Sequence, residues 1–202
     1  MRKLFALLAV GCSLCFVACS SGGGKSVTRI DENSTTDLSG KWNDTDSRLV
    51  ADEMISSCLS SAKIDRLIKS MDRTPTVVIG KVKNKSHEHI SVETFTKDME
   101  RALLNSGAVD FVANSDERAE LRQEVMDQRG NATEETAKEL GMEQGADWML
   151  TGTINTIVDQ EGGKSVIFYQ VDMELTDLQS HKKLWIGDKK IKKFVSQDSV
   201  KM

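Results

Sequence analysis

Cysteine is nearly missing from the part of this chain that would have to fold. Cys12 and Cys15 lie in an apolar N-terminal run and Cys19 ends it, so Cys58 stands alone in the remainder. A lone cysteine makes no intrachain disulfide, and stability must come from a conventional core. Proline occurs once, at Pro75, tyrosine once, at Tyr169, and aromatics make up 5% of residues. A surplus of positive charge is absent too. The formal net charge is −4, and without residues 1–18, which hold Arg2 and Lys3 and no acid, it becomes −6. That balance gives no electrostatic case for nucleic acid. No stretch is apolar for long enough to span a bilayer as a permanent helix, since the run Leu4–Val17 is too short. Catalytic signatures are missing as well. The sequence beyond Cys19 contains no phosphate-binding glycine loop, no G-x-S-x-G, no HExxH and no C-x-x-C, so an enzyme is not expected and no cofactor is implied.

What is present begins at the N-terminus. Two cations, an apolar run and the sequence Phe16-Val17-Ala18-Cys19 form a secretory signal whose end fits a bacterial lipobox. The expectation is cleavage between Ala18 and Cys19, with diacylation, palmitate included, on the Cys19 thiol. More than one acyl chain makes such attachment stable. Ser20 is not the aspartate that retains many lipoproteins at the inner membrane, so an outer-membrane anchor facing the periplasm is expected. Residues 1–18 are thus read as a signal peptide and 19–46 as anchor and flexible linker, with Leu38 and Trp42 as apolar exceptions. Residues 47–196 are read as a single binding domain and 197–202 as a disordered tail.

Within the domain, Asp44-Thr45-Asp46-Ser47 is rich in N-cap residues, and Leu49, Val50, Met54, Ile55, Cys58 and Leu59 follow at helical spacing. A second helix carries Ile64, Leu67, Ile68 and Met71. Val77 to Val82 is a short apolar run that suits a strand covered on both faces. A helix with Phe95, Met99 and Leu103 ends at Gly107, and Val109–Ala113 is a strand. Asn114 and Glu117 form a capping box for a helix to about Gln128, broken at Gly130-Asn131, after which Glu134 to Gln144 is helical. Alternating apolar positions over 146–158 and 167–175, separated by Gly162-Gly163, predict a hairpin with one buried face. Leu184 to Phe194 is a third strand, in which Phe194 breaks the parity of Trp185 and Ile191. Gly187 is the expected bulge that changes faces. The fold class is α+β: a small mixed sheet of about five strands, helices on one face, ending in a three-stranded antiparallel meander.

Candidate chemistry is sparse. His87 and His89, with His181, could hold a metal, but a solvated loop explains them better. Asp44 and Asp46 resemble the start of a calcium loop, yet Leu49 replaces its glycine and Ile55 its closing glutamate. Glu120 and Glu124 sit on a charged helix face. Lys182, Lys183, Lys189, Lys190, Lys192 and Lys193 form a cationic stripe that serves edge-strand protection or an anionic partner. Cys58 reads as a core thiol. No metal site is expected.

Ser39-Gly40-Lys41-Trp42-Asn43-Asp44-Thr45-Asp46-Ser47-Arg48 runs into the first helix. Then come Pro75-Thr76-Val77-Val78-Ile79-Gly80, Ala102-Leu103-Leu104-Asn105-Ser106-Gly107 and Gly145-Ala146-Asp147-Trp148-Met149-Leu150-Thr151-Gly152. This series resembles the LpoB-type penicillin-binding protein activators over about Ser39 to Val195. The resemblance implies an outer-membrane lipoprotein with a domain similar to the N-terminal domain of TolB. It implies a regulatory, non-enzymatic role: docking on a class A penicillin-binding protein and stimulating peptidoglycan synthesis in the cell wall. The alternative is a self-assembling subunit of the kind found in the secretion lipoprotein CsgG; the activator reading expects a monomer. Trp42, Asn43, Asp44, Asp46 and Arg48 form either a docking segment or a fold-closing one. Docking predicts that Trp42→Ala weakens partner binding at little cost in stability. Fold closure predicts a lower melting temperature.

Overall fold

A computed structural model describes residues 26–131 and 145–196. Ala18, Cys19, the expected helix Glu134 to Gln144 and residues 197–202 lie outside the described residues. The chain divides into two units, the first ending at Glu32, and its described part, 26–32, carries no helix or strand. Among the described residues, every helix and strand lies in the unit from Asn33 onward.

Helix α1 (Asp44–Leu59) starts where the acids and Ser47 predict. Asn43 caps it: its side chain accepts from the Asp46 amide while the Asp46 carboxylate accepts from the Asn43 amide. This reciprocal arrangement satisfies two backbone donors that a helix start leaves unpaired. Val50, Ala51, Met54, Ile55 and Cys58 are buried, whereas Leu49 is half exposed on the opposite side, against expectation. Burial pushes the Cys58 thiol up to about 12, so it is an inert core group. Helix α2 (Ala62–Ser70) adds Ile64 to the core. Strand β1 (Thr76–Asn84) buries Thr76 through Ile79 consecutively, as a strand covered on both faces should.

Helix α3 (Val92–Ser106) ends at Gly107, which takes the left-handed conformation with φ 64°. The expected strand after it shrinks to β2 (Asp110–Phe111). Asn114 and Glu117 form the predicted capping box on helix α4 (Ser115–Asn131). That helix continues through Gly130 and Asn131, where a break was expected. Strands β3 (Trp148–Glu161), β4 (Lys164–Asp177) and β5 (Lys183–Ser196) complete one sheet of order β2-β1-β3-β4-β5. Its first two pairings are parallel and its last two antiparallel. The sheet is therefore mixed, and the meander is its C-terminal half. Helices α1 and α3 pack together, α1 against β5 and α3 against β1.

Parity along the meander decides what the core receives. Trp148, Leu150 and Ile154 from β3 meet Tyr169, Val171, Met173 and Leu175 from β4 and Trp185 from β5. The pairing of β4 with β5 shifts register between Leu175 and Thr176, and Gly187 is not the bulge. Trp185, Ile191, Lys193 and Val195 keep one parity, and Phe194 simply faces out, 66% exposed. Gly187 is glycine because the Trp185 ring folds across it: an added Cβ would clash with that ring and come within 2.8 Å of Met54 Cε. Gly187→Ala is expected to cost about 1–3 kcal/mol by overpacking, read as a lower urea midpoint at unchanged slope.

Candidate functional site

The helices cover the inner face of the sheet only part of the way toward the β3–β4 hairpin. Beyond them a short strap, Ser39–Trp42, lies across β4 and β5. Gly40 is buried so closely that a Cβ there would press on Val195 and come within 2.8 Å of Ile167 Cδ1. The strap is the segment that was expected to belong to the flexible linker. Gly40, Thr45, Asp46 and Ser47 are buried, while Leu38, the other expected apolar exception, is 93% exposed.

Polar groups fasten this strap. The Tyr169 side chain is fully buried, with its hydroxyl 2.6 Å from Glu88 Oε1 and 3.1 Å from the Gly40 carbonyl. A phenol has one proton, and the carboxylate is the stronger acceptor. The other Glu88 oxygen accepts from the Trp42 backbone N–H at 3.0 Å. The Trp42 indole packs edge-on against Phe95 and Tyr169, at centroid distances of 6.2 and 5.5 Å, and donates to Ser47 Oγ at 2.7 Å. Desolvation first, then the bond to Glu88, holds the Tyr169 phenol far above its ordinary value.

A second tie lies beside it. Lys193 faces inward, 11% exposed, and its ammonium donates to Asp46 at 2.6 Å, Asp37 at 3.0 Å and the Lys41 carbonyl at 3.1 Å. Burial pulls its pKa down, but the bonds to Asp46 and Asp37 prevail and the net direction is upward. Asp37 in turn is held low by Lys193 and then by Asn43. A cation this enclosed is tolerated only because every proton has an acceptor.

The expected site residues thus divide. Trp42, Asn43 and Asp46 converge on the strap, with their polar atoms turned to their own domain. Asp44 is exposed in the first turn of α1, and Arg48 reaches Asn33 Oδ1 at 2.7 Å. His87 and His89 point to solvent on either side of Glu88, and no group of metal-ligating side chains occurs among the described residues. Glu124 accepts from Gln128 one turn along α4. Of the C-terminal lysines, Lys183 pairs with Glu174, Lys189 with Glu53 and Lys190 with Asp188. The stripe is mostly spent within the protein. Asp147, in the Gly-Ala-Asp segment, takes a bidentate bond from Arg73 at 2.6 and 2.9 Å and one from the Thr76 amide at 2.8 Å. It fixes the start of β3 beside β1.

Glu88 escaped the sequence reading, which took Tyr169 only as an inward strand position and Lys193 only as part of the cationic stripe. Tyr169 carried a usable signal: alternation puts it inside, and a buried phenol requires a partner.

This is an α+β domain whose conspicuous polar residues close its own fold. The sequence match gives the class a family. The model of the peptidoglycan-synthase activator LpoB matches residues 46–191, and this chain belongs to that family. Among solved structures it is similar to the LpoB C-terminal domain from Salmonella enterica. That match has 17% identity and a TM-score of 0.43, covering 75% of this chain and 99% of that one. The corresponding domain from Escherichia coli gives 18% identity, a TM-score of 0.43 and the same coverages. Lipoprotein GNA1162 from Neisseria meningitidis gives 18% and 0.38, covering 62% of this chain and 88% of that one. No curated protein matches.

Two outcomes are expected. Trp42→Ala removes a half-buried ring and its bond to Ser47 and costs about 2–3 kcal/mol, lowering Tm by roughly 5–10 °C. Thermal denaturation followed by circular dichroism measures it. The second concerns alkali. Tyr169 and Lys193 both have raised folded-state values, so their stabilisation is complete below their unfolded values, near 10. It is lost as pH rises beyond that. Because Tyr169 is the sole tyrosine, absorbance at 295 nm reports it alone. Tyrosinate is expected to form in one steep step together with unfolding, well above the pH at which the urea-unfolded chain titrates.

Proposed function

We propose that this protein is a lipid-anchored envelope protein that binds a class A penicillin-binding protein and stimulates its synthesis of peptidoglycan. The observation that carries the reading is the family match across residues 46–191, nearly the whole of the folded domain. Three further features support it. The N-terminal sequence ends in Ala18-Cys19, a lipobox. No helix among the described residues is long and apolar enough to cross a membrane, and acylation of Cys19 supplies the attachment in this reading. The polar residues of the strap are occupied in holding the domain together, which leaves recognition, not catalysis, as its work. Stimulation then arises by differential affinity: the activator binds the productive conformation of the synthase more tightly than the resting one.

Trp42, Asn43, Asp44, Asp46 and Arg48 enter this reading as the segment that positions the domain on its anchor. The anchor faces the periplasm from the outer membrane, and the domain acts as a monomer. A self-assembling pore is less well supported. The 14-residue strands of the meander have the length to cross a membrane, but their inner face serves the core. Their outer face carries Asp172, Glu174, Asp188 and Lys190.

The test couples two measurements. In cells fed alkyne-palmitate, the chain is expected to label and to sediment with outer membranes, and Cys19→Ser to abolish both. In a pull-down from detergent-solubilised envelopes, a class A penicillin-binding protein is expected among the bound proteins, and adding the activator to it raises glycan polymerisation severalfold. Recovery of copies of this chain alone, without a synthase, overturns the reading.

A further inference from the structure

Strand β1 outruns its neighbour on one side. It has nine residues, and β2 pairs only with Thr76 and Val77. The last bond across that pairing runs from the Val112 N–H to the Val77 carbonyl, and none follows it among the described residues. Val77 faces β2 and Thr76 faces β3, so alternation turns the Ile79 N–H and C=O to the side that β2 has left. The register with β3 then shifts between Ile79 and Val82, and the Lys85 N–H bonds to the Ile154 carbonyl. Counted back from Lys85, Lys83 faces β3, and the Val82 N–H and C=O face the open side too. An open edge of this kind is a template for one further strand.

The space beside that edge is a groove of about 680 Å³ bordered by α3 and α4. Val78 and Met149, partners in the register, line it from one face of the sheet, and Val92 and Phe111, which pack on the core, from the other. An extended segment with alternating apolar side chains meets both pairs. Charge gives the sign of the occupant. Lys97 of α3 donates to Glu100 and to Glu117 of α4, which ties the two helices together. Glu93, Asp116 and Glu120 then remain on the lining against Lys81 and Arg118. Acids outnumber cations five to three over the whole groove, and complementarity asks for a basic segment. A second copy of this chain fits less well. Its other free edge, β5, has α1 and α2 packed beside it, too broad for a slot that helices border. Lys81, exposed in the bulge, also guards β1 against pairing with another sheet.

We propose that the groove beside Ile79 and Val82 takes an extended, lysine- or arginine-bearing segment of a partner protein, which adds a strand to β1 where β2 stops. The main-chain groups of β1 supply the affinity, and the acidic lining selects the charge of the segment. The proposal does not rest on the synthase reading, and either can fail without the other.

The test pans a random dodecapeptide phage library on the full-length chain in detergent micelles. Enriched peptides are expected to be net basic, with apolar residues at alternate positions. One of them, synthesised, is followed in proton–nitrogen correlation spectra. The Ile79 and Val82 amides are expected to shift and to exchange with deuterium about tenfold more slowly or better. The same peptide N-methylated at alternate residues, without those backbone donors, is expected to bind about tenfold more weakly. The double variant Glu93→Gln, Glu120→Gln alters exposed side chains and is expected to weaken the unmodified peptide several-fold, most at low salt. No enriched peptide, or one that leaves the Ile79 and Val82 amides unchanged, overturns the groove. Enrichment of acidic peptides overturns the basic occupant, and full binding after N-methylation in either alternate set overturns strand addition. A dimer in sedimentation that the peptide dissolves assigns the edge to a second copy and overturns the proposal.

Discussion

A phenol cannot be buried without a partner, and the far end of this sheet is organised around that requirement. Tyr169 lies in the middle of β4 with no exposed surface, and leaving its hydroxyl unpaired would cost about 1–3 kcal/mol. Glu88 supplies the acceptor, and its second oxygen is thereby aimed at the Trp42 amide. One carboxylate thus joins the β1–α3 loop, the centre of the sheet and the chain ahead of the first helix. Without Glu88 the strap would keep its aromatic packing and the Lys193 bond to the Lys41 carbonyl but lose the acceptor of its Trp42 amide.

The neighbouring Lys193–Asp46 pair has a different role. Buried ion pairs contribute little net stability, because desolvation offsets most of their attraction. Breaking one by removing a single partner is costly, so the pair discriminates strongly against misplacement. It forces the first turn of α1 and the inward row of β5 to meet in one alignment. Asp46 closes the capping box with Asn43 and accepts from Lys193 at the same time. Helix start and strand register are therefore set together.

Much of this was legible in the sequence. The element order, the hairpin parity, the Asn114–Glu117 cap and the stop at Gly107 follow from periodicity and turn chemistry. What was not legible shares one cause. Sequence reasoning sees Phe194 break the parity of Trp185 and Ile191 and reads Gly187 as a bulge that changes faces, when the strand keeps one parity throughout. In the fold Lys193 goes inside, because the strap brings it Asp37 and Asp46 from about 150 residues away. Nothing local announces such a partner. The same is true of Glu88: the two histidines beside it draw attention as metal ligands, while the acid between them is the residue that reaches inward. Leu49 failed for a simpler reason: the buried stripe Ser47, Val50, Ala51, Met54, Ile55 and Cys58 recurs every three or four residues, and Leu49 lies off it.

The strap also sets how many residues lie between Cys19 and the first buried position, Gly40. Counted to residue 46, the tether from Cys19 would have 27 residues; seated at Gly40, it has about 20. Each residue fully extended spans at most about 3.5 Å, so the outer limit falls from roughly 95 Å to roughly 70 Å. On the proposed reading, with lipid on Cys19, the domain lies within that distance of the membrane that anchors it. On the same reading, a synthase rooted on the other side of the periplasm must cover most of the distance with its own ectodomain. Contact becomes a gauge of envelope width: where the two membranes stand farther apart than the two proteins can span, the activator is out of reach.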